Sequence, residues 1–239
     1  MMTISSTPAT LETLRNSARD LLNEFDAADG LASYYTLYHD PKRTMLFLHH
    51  GSGGAVDGFL VRCQTGIDLF RPLVTLRVRG NQALPGLIEE GLTAGWPYLI
   101  VVPAGLAERL EPYLTLSQAS LNLILRLDPA RFRPEINALV VRGEDTAGNP
   151  RAEIRSGKRT LAVAGVNWCS PIFAEVYVHV EPEERGRGRG RAVVNALVEE
   201  LLKQGITPLY NVTDGNDVSL ELARQVGFVD TGAREIMAQ

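Results

Sequence analysis

The chain has 239 residues, which allows one large domain or two small ones and a core that removes roughly 70% of the unfolded surface from water. Hydrophobic residues make up 45% and charged residues 22%, which excludes disorder over the whole length, and no stretch approaches the ~18 apolar residues of a spanning helix. With 24 basic and 28 acidic side chains the net charge is −4, which argues against a chain dedicated to nucleic acid, though not against a local basic site; two cysteines without metal spacing, Cys63 and Cys169, exclude a disulfide scaffold and a zinc ribbon.

Residues 1–10 show no basic start followed by an apolar run, so no secretory signal is visible and a cytoplasmic protein without a membrane partner is expected; the net acidity makes a nucleic-acid partner unexpected as well. A helix is predicted over 8–26: Thr10 can cap it, and Leu14, Ala18, Leu21, Leu22 and Phe25 recur at helical spacing before Gly30 closes the segment. Strands follow at Thr44–His50 and Val56–Gln64, joined by the turn Gly51-Ser52-Gly53-Gly54, and at Pro72–Val78. A helix over Ala83–Ala94, a buried strand over Tyr98–Pro103, a short helix over Gly105–Tyr113 and a strand over Ser120–Leu127 complete the first half. The polar, proline-punctuated stretch Asp128–Pro134 reads as a linker.

The second half restarts with a strand at Ala138–Arg142 and a hairpin of Arg151–Ile154 and Thr160–Val166 around Ser156-Gly157-Lys158. Phe173–Val180 alternates, with Val176, Val178 and Val180 on one face and Glu175, Tyr177 and His179 on the other. An amphipathic helix spans Gly190–Lys203 and stops at Gly205. Then come a strand at Thr207–Val212, a helix at Asn216–Gln225 ended by Gly227, and a strand at Phe228–Glu235. The fold class is α/β, in the sense of a mixed α+β sheet, in two domains, 1–130 and 131–239.

The stretch that carries chemistry is the turn between that alternating strand and the amphipathic helix: Arg185-Gly186-Arg187-Gly188-Arg189-Gly190-Arg191. Glycines let backbone N–H groups approach an anion, and the helix start adds unpaired N–H groups and the positive end of its dipole. That is a cradle for a phosphate or pyrophosphate. The nicotinamide fingerprint fails because its last glycine position is Arg191. The triphosphate P-loop fails because no Lys-Ser/Thr follows. An arginine-glycine tail that binds nucleic acid, or a solvated turn, is the bland alternative, but such tails are not framed by an apolar strand and an amphipathic helix.

Arg185, Gly188 and Gly190 fit arginine-x-x-glycine-x-glycine, preceded by Val178-x-Val180-x-Pro182 and followed by Asn216-Asp217-Val218-Ser219, Leu222 and Gly227-Phe228. In this order the motifs resemble the GNAT superfamily of N-acetyltransferases over residues 136–237. The resemblance implies that acetyl-CoA is the co-substrate, with no metal, and that a small-molecule or peptide amine is the acceptor. It implies that backbone groups near Val178, His179 and Val180 hold the pantetheine arm and polarise the thioester. The N–H groups of Arg185, Gly186, Arg187, Gly188, Arg189 and Gly190 would clasp the pyrophosphate, Arg187, Arg189 or Arg191 would meet the ribose phosphate, and Asn216 and Ser219 would line the arm. Glu175 is the first choice of general base, with Tyr177 and His179 on the same face. The sequence departs from the family at Ala223, where many members have a tyrosine that protonates the leaving thiolate; Ser219, Tyr210 or water could substitute, and a non-catalytic acyl-CoA sensor is the alternative.

For residues 44–128 a similar topology puts the counterpart turn at Arg77-Val78-Arg79-Gly80-Asn81-Gln82, which has one glycine and should not clasp a pyrophosphate in the same way. A degenerate GNAT-like N-terminal half in a tandem arrangement, or a family-specific accessory domain over 1–130, is therefore expected. His49 and His50 precede a glycine turn like the oxyanion loop of α/β-hydrolases, but the chain has no Gly-x-Ser-x-Gly, so a glycine hairpin is the reading. Acceptor identity and oligomeric state, monomer or homodimer, are not legible.

Overall fold

The computed structural model describes residues 10–66 and 68–239, and the chain divides into two compact units. Of the described residues, the first comprises those within 1–23, 32–119 and 238–239, and the second those within 24–31 and 120–237. The expected linker at Asp128–Pro134 and the strand before it lie inside the second unit. Among the described residues no helix is long and apolar enough to cross a membrane.

In the first unit, Thr10 caps α1 (Leu11–Ala18), its side chain accepting from the Thr13 N–H. Residues 8 and 9 of the predicted helix lie outside the described residues. The helix is shorter than its periodicity suggests, because a 3₁₀ turn over Arg19–Leu21 ends with Leu22 extended. A helical run with no counterpart among the sequence expectations follows at 27–38 and contains α2 (Gly30–Ser33); its residues up to Leu31 count with the second unit and those from Ala32 with the first. The strands are β1 (Thr44–His50), β2 (Val56–Cys63), β3 (Leu73–Val78) and β4 (Leu99–Pro103), with α3 (Leu84–Gly91) and α4 (Ala104–Leu110). β1, β2 and β3 pair antiparallel around the predicted glycine hairpin, where His49 Nδ1 lies 2.5 Å from Asp57 Oδ1. β3 and β4 are parallel and share only Leu73↔Leu99 and Val74↔Ile100, although β3 runs on to Val78.

The second unit holds β5 (Ser120–Leu127), β6 (Val140–Glu144), β7 (Pro150–Ser156), β8 (Arg159–Cys169), β9 (Phe173–Val180), α5 (Arg189–Lys203), β10 (Thr207–Thr213), α6 (Asp217–Val226) and β11 (Phe228–Ala238). Its sheet runs β11-β5-β10-β9-β8-β7-β6, antiparallel throughout except for β9 and β10, which need the α5 crossover to lie parallel. β5 follows α4 in sequence and pairs between β10 and β11, so this strand belongs to the second unit. Val176 and the buried stripe of α5 (Val193, Val194, Leu197, Val198 and Leu201) form one core with α6.

Gly227 ends α6 at φ +115, and a Cβ there would lie 3.0 Å from the backbone nitrogen of Phe132. Strain and backbone clash act together. Gly227→Ala is expected to lower the unfolding free energy by about 2–3 kcal/mol, read as a lower urea midpoint with an unchanged slope.

Candidate active site

β9 pairs with β10 only from Phe173↔Thr207 to Val176↔Tyr210. Beyond that point β9 stays with β8 as far as Ala162↔Val180, and β10 stays with β5 as far as Thr213↔Asn122, so a gap opens between two parallel strands. The Glu181 N–H donates to Leu161 O on β8. By strand alternation, Val178 and Val180 therefore turn their backbone groups to the opposite edge, into the gap. Arg185 Nε donates to Val180 O there, at 3.2 Å.

The turn after β9 has the backbone an anion cradle needs. Gly186 and Gly188 have φ +74 and +71, and a Cβ at either would meet nothing within 4 Å. Gly188 is the N-cap of the 15-residue α5 and provides no side-chain cap, so the first N–H groups of the helix lack the usual capping oxygen. The first turn of α5 contains no acid and carries arginines instead, the reverse of what a helix dipole favours. The structure meets that charge with Glu184, 2.9 Å from Arg189 and 3.2 Å from Arg187, and with Glu135, 3.3 Å from Arg191. Arg189 Nη1 is buried without a hydrogen-bond partner. Gly190 marks a close approach, because a Cβ would lie 2.9 Å from Leu222 and 3.2 Å from Val180.

The rest of the predicted site gathers at the gap or on the face below it. Asn216 caps α6, its Oδ1 accepting from the Ser219 N–H at 3.1 Å. The Ser219 hydroxyl lies 3.1 Å from that of Tyr210, the last β10 residue still paired with β9. Burial pushes the Tyr210 phenol up, opposed by the Ser219 hydrogen bond. Ala223 is fully buried. On the opposite face of β9, Tyr177 lies over Gly165, where a Cβ would come within 2.7 Å of its hydroxyl. His179 is exposed and sits 3.7 Å from Glu181.

Glu175 keeps some exposed surface overall, but its carboxylate is enclosed. Burial pushes its carboxyl up, against hydrogen bonds from Asn167 Nδ2 (2.7 Å), Trp168 Nε1 (3.0 Å) and Asn211. The sequence reading named none of these partners. They come from β8 and β10, and only register brings them to Glu175.

With strand gap, glycine turn and capped helix in place, the chain can be set beside known proteins. The model of the acetyltransferase (GNAT) family matches residues 147–228. Residues 147–228 are a GNAT-family domain. Members of this family transfer acyl groups from acyl-coenzyme A. No curated protein matches the chain. Among solved structures, a putative GNAT-family acetyltransferase from Novosphingobium aromaticivorans is 19% identical with a TM-score of 0.57, covering 74% of this chain and 86% of its own. A GCN5-related N-acetyltransferase from Sphaerobacter thermophilus is 12% identical with a TM-score of 0.63, covering 98% and 93%. A tandem GNAT protein of the clavulanic acid biosynthesis pathway is 14% identical with a TM-score of 0.58, covering 96% and 94%. At these identities the likeness is one of fold.

The first unit repeats the splayed parallel pair in β3 and β4 but not the cradle of the GNAT domain. Gly80 has no positive φ, Pro85 opens α3, Asn81 Oδ1 accepts from Arg109 Nε at 2.6 Å, and Gln82 reaches Asp57. The counterpart turn is filled by its own side chains.

Proposed function

We propose that the protein is an N-acetyltransferase that moves an acetyl group from acetyl-CoA to an amine by direct attack within a ternary complex, in the cytoplasm. The observation that carries this reading is the uncapped start of α5 behind two left-handed glycines, at the mouth of a gap between parallel strands. Those N–H groups fit a diphosphate, and the arginines on the turn fit the outlying phosphate. The inward-turned backbone of Val178 and Val180 fits the amides of the pantetheine arm and orients the thioester carbonyl, where an N–H donor steadies the developing oxyanion.

In that complex the neutral amine attacks the carbonyl carbon. The C–N bond forms, the C–S bond breaks, and coenzyme A leaves as the thiolate. Glu175 takes the proton from the amine. Tyr210, kept protonated by burial and linked to Ser219, supplies the proton to sulfur in place of the family tyrosine that Ala223 replaces. Tyr210→Phe is expected to lower kcat about 10²-fold with unchanged acetyl-CoA affinity; stopped-flow thiol release and isothermal titration read the two separately.

The decisive experiment is thermal stabilisation by acetyl-CoA followed by a thiol-release screen over amine classes. Stabilisation with amine-dependent release supports the reading. No stabilisation overturns it, and stabilisation without release from any amine would mark an acyl-CoA sensor.

A further inference from the structure

In the first unit, α3 covers one face of the sheet but stops short of its end. Met45 pairs with Arg62 and Phe47 with Leu60, and Arg62 pairs in turn with Val74, so these side chains project from one face of β1, β2 and β3. Leu60, Val74 and Tyr98 form a core there with Leu84 and Leu87 of α3. The helix ends at Gly91, whose carbonyl accepts from Arg62 Nη1 at 2.8 Å. The pairing continues beyond the strand ends: the Gln64 N–H donates to Arg43 O and the Leu99 N–H to Pro72 O. By alternation Arg43 and Gln64 fall on the same face as Met45 and Arg62, in a row past the end of the helix.

That row borders a cavity of about 420 Å³, within the range of about 300–1,000 Å³ common to small-molecule sites. Its charge is one-sided. Lys42, Arg43 and Arg62 line it, and among the described residues no aspartate or glutamate does. Arg43 has Asp40 at 3.8 Å, with both side chains largely in water, and Lys42 has no ion pair among the described residues. Arg62 uses one N–H on Gly91 O and another on Met45 Sδ, and a guanidinium carries more.

An aromatic wall stands beside the cations. Trp96 lines the same cavity, is 60% exposed and makes no ring contact among the described residues. The turn that carries it is nonetheless pinned: the Thr93 N–H donates to the Tyr98 hydroxyl at 2.9 Å, and the Trp96 N–H to Thr93 O at 3.1 Å. A large aromatic side chain on a fixed turn, left out of the core, offers its ring for stacking.

Charge and size narrow the ligand. A monocarboxylate would leave two of the three cations unanswered. A phosphate monoester is close to a dianion at neutral pH and accepts the forked hydrogen bonds that arginine makes. Inorganic phosphate would leave the Trp96 side unfilled, whereas a flat ring joined to the phosphate reaches the indole.

We propose that this end of the first unit binds a small phosphate monoester that carries a flat ring, the chemistry of a nucleoside monophosphate, with Lys42, Arg43 and Arg62 on the phosphate and Trp96 on the ring. The site lies at the opposite end of β3 from the counterpart turn after Val78, and it does not depend on the acetyl-transfer reading.

The test is isothermal titration of the full chain, at fixed ionic strength, with adenosine 5′-monophosphate, adenosine, inorganic phosphate and benzoate. The monophosphate is expected to bind at least about 10-fold more tightly than each of the others. Lys42→Glu and Trp96→Ala, both at exposed positions, are each expected to weaken it about 10-fold, with an unchanged urea midpoint to verify folding. Gly188→Val, which fills the phosphate cradle of the GNAT domain, is expected to leave the monophosphate's affinity as it is. Absence of binding to wild-type protein overturns the proposal, and so does wild-type affinity in a folded Lys42→Glu. Affinity lost in Gly188→Val places the ligand on the other turn and overturns it too. Adenosine or benzoate binding as tightly as the monophosphate overturns the phosphate's part. Inorganic phosphate doing so overturns the ring's part, and that comparison decides the matter if Trp96→Ala fails to fold.

Discussion

Gly188→Val is expected to abolish acetyl-CoA binding, weakening it at least about 100-fold, or roughly 2.7 kcal/mol, in a protein that still folds. Gly188 sits at φ +71 and ψ 2, where a β-branched residue costs about 1–3 kcal/mol of strain. A Cβ there meets nothing within 4 Å, so the new side chain enters open space in front of the helix N–H groups rather than the core. Gly205, just past the other end of α5, separates the two effects: its φ is +76 and a Cβ there also meets nothing. Gly205→Val is expected to cost similar stability and keep acetyl-CoA affinity. Isothermal titration on both variants checks this. The cradle assignment is lost if Gly188→Val binds like wild-type protein, or if Gly205→Val loses as much affinity.

What the sequence disclosed follows from how local each cause is. β9 was legible because one face packs on α5 and α6 while the other carries polar side chains, which leaves a clean alternation. The turn was legible because left-handed backbone demands glycine at 186 and 188. The first helix was read too long because apolar spacing continues through Leu22 and Phe25, yet Leu22 is extended at φ −125 and Phe25 is 74% exposed. Gly30 looked like a helix stop but has helical dihedrals; it is small because a Cβ would lie 2.9 Å from Leu209. Strand partners are long-range facts. Nothing within Ser120–Leu127 announces that it pairs between β10 and β11. For the same reason the surroundings of Glu175 were invisible: Asn211 and Glu235 are 24 residues apart and meet only through register. The last strand was expected to end at Glu235, whereas β11 continues to Ala238, which makes that carboxylate an interior residue.

Glu175→Gln is expected to lower kcat about 10²–10³-fold with acetyl-CoA affinity unchanged. A base works only when deprotonated, and burial holds the Glu175 carboxyl above the ordinary glutamate value of about 4.3. The wild-type kcat profile should therefore fall on the acid side with a midpoint above that value, and the variant should lack this limb. Stability runs the other way. With its folded-state pKa raised, Glu175 holds its proton more tightly in the folded protein, so its contribution becomes less favourable as pH rises from the unfolded-state pKa to the folded one. The variant should lose that slope. It also places an amide nitrogen against Asn167 Nδ2 or Trp168 Nε1, donor facing donor, at a cost of about 1–3 kcal/mol, so folding is verified by acetyl-CoA stabilisation before rates are compared. Wild-type turnover across pH in the folded variant would remove Glu175 as the base. Loss confined to KM would instead make it a group that binds the amine rather than the group that takes its proton.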